Sequence, residues 1–149
     1  MPSGSTQRLL DFICSSSPDV RTALARIARH AMVIDEVVVF RFREDETHGT
    51  IDEHVPGVPD CLGKRKNELF VLNAVLHVRA YTGKQVSPER VYLAHRAAKR
   101  DAFPLVRALG THDIAFGAGS NGVVFARRVL DLPLVVPLVR SEPPPRFPA

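Results

Sequence analysis

Six histidines and two cysteines are the residues from which catalysis or metal binding would have to be built. His48, His54 and Cys61 follow one another along the chain, but no Cys-x-x-Cys or His-Glu-x-x-His spacing occurs, so no tetrahedral ligand set is written into it. Cys14 has no neighbouring cation to draw out a thiolate and reads as a small buried hydrophobe. Gly117-Ala118-Gly119-Ser120-Asn121-Gly122 looks like a phosphate cradle, yet it lacks Lys-Ser/Thr and leads into a strand instead of a helix. It reads as a hairpin turn. Carboxylates cluster at Glu44 to Glu46 on a charged tip, where nothing is expected to tune an acid or a base. What is left is binding chemistry. His95 ends a predicted strand on the face of Val91 and Leu93, where its imidazole meets a ligand or sits as a core histidine held by backbone; Tyr92 belongs to the same strand. Asn73 and His77 stand four apart on one helix face, in line with Lys66 and roughly Lys84. That stripe faces water, which is the plainer reading, or lines a pocket or a subunit contact. His95, Tyr92, His77 and Asn73 are the candidate ligand-binding residues; no catalytic residue, metal or cofactor is predicted.

The elements that must position them follow from periodicity. Thr6 to Cys14 is apolar-rich and reads as a short helix. Ser17-Pro18-Asp19 then forms a helix start, with Ser17 as cap, Pro18 at the first helical position and Asp19 at the positive end of the dipole. Val20, Leu24, Ile27 and Ala31, with Ala23 and Ala28, make the apolar stripe of that helix, while Arg21, Arg26 and Arg29 look outward. Glu36 to Arg43 alternates as a strand, with Val38, Phe40 and Phe42 on one face and Arg41 and Arg43 on the other. A charged turn follows, then Thr50 to Val55 as a weaker, more polar strand, broken by Pro56 to Asp60. Asn67 to Tyr81 is the longest helix, stopped at Thr82-Gly83, and its composition predicts burial on most sides. Val91 to His95 is a strand, and Ala102 to Leu109 a short helix ended by Gly110. His112 to Phe116 and Gly122 to Ala126 are two strands of a hairpin, and Pro133 closes the unit.

The ordered series Gly83, Pro88, Val91, His95, Phe116, Gly117, Asn121, Leu130, Pro133 and Leu134 resembles the end of the sensor half of AraC-type transcription regulators, the arabinose-binding or dimerisation domain. The chain departs from that pattern at Arg96 to Ala98, where the family often has Pro after the strand-end His, and at Leu109, where it often has an aromatic residue. The Ser-Pro-Asp start with Ala23, Leu24 and Ala28 extends the resemblance, so that it covers about residues 9–134. It is expected to be the C-terminal part of the sensor domain, with the family's earlier helical portion, which would precede Thr6, missing here. Family members continue into a DNA-binding half with two helix-turn-helix units. Here Val135 to Arg140 leads into Ser141-Glu142-Pro143-Pro144-Pro145-Arg146-Phe147-Pro148-Ala149, from which no recognition helix can be built.

At 149 residues the chain is expected to be one domain, able to bury roughly 70% of its unfolded surface. No apolar run approaches the ~20 residues of a membrane span and no signal-peptide pattern opens the chain, so a cytoplasmic protein without membrane contact is expected. Cys14 and Cys61 are accordingly expected free and buried. The net charge of +4 permits an acidic partner, but the basic residues are dispersed, with local clusters only at Lys64 to Lys66 and Arg96 to Arg100. The absence of Trp and the presence of two Tyr leave little for a base-stacking platform.

The expected fold class is α/β (α+β): a mixed, mainly antiparallel sheet of about five strands with two long helices packed on it. A sugar-binding jelly roll, which the family label brings to mind, does not suit two long apolar helices. Residues 1–5 are expected disordered, 6–135 to form the sensor-like domain, and 136–149 to be an extended Pro-rich tail. The resemblance implies a non-catalytic effector-sensing and dimerisation domain with a small-molecule effector. It would pair with itself or with a full-length regulator, and act on transcription through a partner or a missing DNA-binding half, without direct sequence-specific DNA binding by this chain. The alternatives are a small basic nucleic-acid-binding protein and a small enzyme using His95, His77 or Cys14.

Overall fold

The computed structural model describes residues 4–30, 38–59 and 61–135. Two helices open the chain. α1 spans Gly4–Ser15, slightly longer than the predicted Thr6 to Cys14, and α2 spans Val20–Arg29. The start of α2 is one step later than the sequence reading has it: Asp19 is the cap, its carboxylate accepting from the Thr22 N–H at 2.8 Å. Ser17 turns the other way, its hydroxyl donating to the Ile13 carbonyl at the end of α1. Val20, Ala23 and Leu24 are buried as their spacing predicts. Ala31 and the predicted strand start at Glu36 and Val37 lie outside the described residues, as do residues 1–3 and the tail 136–149.

β1 (Val39–Glu44) and β2 (His48–His54) form an antiparallel hairpin, and β2 pairs on its other side with β5 (Asn121–Ala126). β5 pairs antiparallel with β3 (Arg90–Tyr92), which pairs parallel with the two-residue β4 (Ile114–Ala115). The sheet order is β1-β2-β5-β3-β4, a mixed and mainly antiparallel five-stranded sheet. Two findings here add to or alter the sequence reading. The polar strand after the charged turn is interior to the sheet, and Ile51, Asp52 and Glu53 on it are all buried. The predicted hairpin between β4 and β5 does not form, because β3 sits between them. Gly117 to Asn121 instead wraps the end of β3: the Gly117 N–H donates to the His95 carbonyl, the Ala118 N–H to the Leu93 carbonyl, and Asn121 Oδ1 accepts from the Ala94 N–H at 2.8 Å. Gly117 takes the left-handed conformation that this tight return requires (φ 68°).

The longest helix, α3 (Lys64–Thr82), ends at Gly83 in the left-handed conformation, as predicted. Its burial is narrower than its composition predicts. Val71, Val75, Val78 and Tyr81 are buried, whereas Leu69 and Leu76 are each 53% exposed. A turn of 3₁₀ helix (Lys99–Ala102) runs into α4 (Phe103–Leu109), capped by left-handed Gly110 as predicted. One turn, α5 (Arg127–Leu130), follows β5.

Strand alternation sorts the sheet into two faces. Phe42, Ile51, Val123 and Val91 stand in one cross-strand row on the inner face. They meet Leu24 of α2, Val71, Val75 and Val78 of α3, and Leu105 and Leu109 of α4 in a single core with Leu93, Phe125 and Leu130. Gly49 passes so close to Leu130 and Phe42 that a β-carbon there would overlap the Leu130 side chain. The last described segment ties the ends together. The Val20 N–H donates to the Leu132 carbonyl, the Leu134 N–H to Pro18, and the Val135 N–H to Tyr81. Pro133, expected only to end structure, therefore sits in a bridge to Asp19.

Candidate functional site

Between α1, α2, α3 and the inner face of the sheet lies a cavity of about 480 Å³. Its floor is the inner face of the first two strands with the residue before them: Val38, Phe40, Ile51 and Glu53. One wall is α2, with Val20, Ala23, Leu24 and Ile27, and α1 adds Leu10 and Cys14. The opposite wall is the stripe of α3 that carries Lys66, Leu69, Phe70, Asn73, Ala74, His77, Val78 and Tyr81, and Leu134 closes one end.

The register of the first hairpin explains the floor. Phe40 is paired with Glu53, so the carboxylate shares the inner face with an aromatic ring, and Phe40 in turn stacks on Phe70 at 5.8 Å. Glu53 is held by Lys66, whose Nζ lies 3.2 Å from Oε1; the carboxylate is 7% exposed and the lysine 49%. His77 lies parallel to Tyr81, ring centres 6.2 Å apart, and the Tyr81 hydroxyl donates to the Asp11 carboxylate on α1. The remaining lining is hydrocarbon, the Asn73 amide and one thiol. Burial, with the Asp11 charge adding to it, pushes the Cys14 thiol up to about 11, so at neutral pH it is protonated and is no nucleophile.

The four sequence candidates divide. Asn73 and His77 are half-buried and line the cavity together. His95 lies elsewhere: β3 stops at Tyr92, short of the predicted strand end, and His95 is buried in the bend beyond it, between Asn67 and Phe116. Its Nδ1 is 3.2 Å from the Asn67 amide nitrogen, its ring centre 5.6 Å from that of Phe116, and its Nε2 3.7 Å from Glu68 Oε1. A side-chain amide thus holds the ring, where backbone was expected. Burial lowers its pKa; the Lys64 charge acts the same way and the Glu68 charge opposes both. Tyr92 is on the outer face of the sheet, over Gly122, where a β-carbon would overlap its ring. Burial first, then the Asp52 charge, raises its pKa, so the phenol stays protonated.

Sequence reasoning missed Glu53, Phe40 and Phe70 as cavity residues. Registering the two strands across the Glu44–Gly49 turn pairs Phe40 with Glu53 and would have found the floor; the helical walls carry no local signal. Of the two cysteines, both free, Cys14 is buried as expected but Cys61 is exposed, because the loop before α3 leaves it uncovered. Among the described residues no group of three His, Cys, Asp or Glu side chains is placed to hold a metal, and no helix is long and apolar enough to cross a membrane.

Residues 5–134 match the family model for the arabinose-binding domain of AraC transcription regulators, N-terminal. The fold is similar to that of the transcriptional regulator CdpR from Pseudomonas aeruginosa, with a TM-score of 0.63 at 13% sequence identity. The similarity covers 85% of this chain and 41% of that regulator, so the chain spans about two fifths of its length. No curated protein matches the chain. With 5–134 spanned by the model, the chain belongs to the family of N-terminal arabinose-binding domains of AraC transcription regulators.

Proposed function

We propose that the chain is the effector-sensing part of an AraC-type regulator, that its effector occupies the cavity between α1, α2, α3 and the sheet, and that it performs no catalysis. The observation that carries this reading is the cavity itself. Its volume falls in the range of small-molecule sites, about 300–1,000 Å³, and its walls come from elements far apart in sequence. A free sugar needs a hydrogen-bond partner for nearly every hydroxyl, and a buried hydroxyl left without one costs roughly 1–3 kcal/mol. Here hydrocarbon dominates, and Asn73, His77 and the Lys66–Glu53 pair supply the polar contacts. The effector is therefore a mainly apolar molecule with one polar end, directed at Asn73 and His77.

Signalling follows from Leu69. It lines the cavity and is also exposed, on the same helix stripe as Leu72 and the exposed Leu76. Subunits pair along that stripe, with a second copy or a full-length regulator, and the effector shifts the population of pairing arrangements by packing against the other side of Leu69. The effect on transcription is exerted by a DNA-binding half outside these residues.

Thermal denaturation with aliphatic and aromatic alcohols and carboxylic acids, and with arabinose alongside, tests this. An apolar ligand is expected to raise the melting temperature with saturation, and Ala74→Phe, which fills the cavity, to abolish the rise. A rise given by arabinose alone, or one unchanged in Ala74→Phe, would overturn the reading.

A further inference from the structure

Among the described residues α2, α3 and α4 pack on the inner face, and the outer face of the sheet carries its own polar cluster. One cross-strand row there reads Arg41, Asp52, Gly122, Tyr92. Asp52 accepts from Arg41 Nε and Nη2, both at 3.3 Å, and from Arg43 Nη2 at 3.0 Å. Its side chain is only 4% exposed, with both guanidinium groups against it. The arginines themselves remain 60% and 59% exposed. Gly122 leaves room for the Tyr92 ring, whose atoms would overlap a β-carbon placed there. A recess of about 290 Å³ opens beside Arg41, lined also by Asp52, His54 and Ser120.

Two guanidinium groups share one carboxylate, which leaves a net positive charge and several N–H donors directed away from Asp52. A carboxylate that fixes the plane of an arginine prepares it for bidentate contact with a second oxyanion. We infer that Arg41, oriented by Asp52 and reinforced by the charge of Arg43 on the same carboxylate, forms a binding site for the phosphate or carboxylate group of a small molecule in the recess beside Ser120 and His54. A long polyanion fits less well. Glu44, Asp45 and Glu46 follow Arg43 directly at the hairpin tip and would repel a nucleic-acid backbone running along the strands. The site is separate from the cavity and does not depend on the function proposed for it.

Amide NMR titration of the folded chain tests the assignment, with inorganic phosphate and with succinate, each against chloride at matched ionic strength. Saturable shifts at Arg41, Arg43, Asp52 and Ser120 are expected, weakened about tenfold or more in Arg41→Gln and unchanged in Arg107→Gln on α4. Should Arg41→Gln unfold by leaving Asp52 underpaired, Arg41→Lys keeps the charge, loses the planar fork and is expected to show the same weakening. Saturation by phosphate but not succinate marks a phosphate-bearing ligand, and the reverse a carboxylate; both support the site. Shifts that do not saturate, that chloride reproduces, or that persist in Arg41→Gln or Arg41→Lys would overturn it. So would a duplex oligonucleotide engaging the same amides more tightly than either small ion.

Discussion

His95 shows how one residue type in one pattern fits two roles until its surroundings are known. The strand that leads towards it was legible from Val91 and Leu93, but its hydrogen-bond partner comes from α3, nearly thirty positions earlier. Because burial depresses its pKa below the ordinary value of 6.5, the folded chain holds it neutral while the unfolded chain takes up a proton near that value. Its contribution is therefore fully present above pH 6.5 and is lost as pH falls through the lowered value. Urea unfolding at pH 7.5 and pH 5.5 is expected to show lower stability at the acid end, with His95→Gln flattening the difference. Asp19, where the Thr22 hydrogen bonds and the Arg21 charge outweigh burial, is held below 3.8 and titrates further down. The Arg41–Asp52 pair was equally hidden, since each residue looks like an ordinary surface charge until strand register sets them opposite one another.

Among the elements, the strong local signals held and the partnerships did not. Alternation marked β1, and the glycines at 83 and 110 ended α3 and α4 where expected. The Gly-rich connector before β5 was read as a hairpin because glycine and asparagine permit a tight return without saying which strand the chain returns to. In α3 the near-continuous apolar composition concealed two surfaces, one in the core and one carrying Leu69 and Leu76 into solvent. Leu69→Glu should leave monomer stability within about 0.5 kcal/mol, as exposed substitutions usually do. If the stripe pairs subunits, the same variant shifts sedimentation toward the monomer. At the start of α2, Asp19→Ala removes the cap on the Thr22 N–H and is expected to cost about 1 kcal/mol in chemical denaturation. A Ser17→Ala variant that cost more by loss of an α2 cap would contradict that assignment, since the Ser17 hydroxyl serves α1.

At the scale of the molecule, the α+β architecture was legible because two long helices and five strands have few ways to cover each other. The cavity was not, because its walls are drawn from residues 10 to 134 and no window of sequence contains them. The central joint of the sheet explains a further property. β2 meets β5 with Ile51 opposite Val123, across roughly seventy residues of intervening chain, so that contact must close a long loop. A polypeptide still emerging from the ribosome can zip the first hairpin and wind its helices, yet the sheet has no middle until Ala126 is free. Commitment to the native state thus waits for β5, with Ile51 and its neighbours uncovered in the interval.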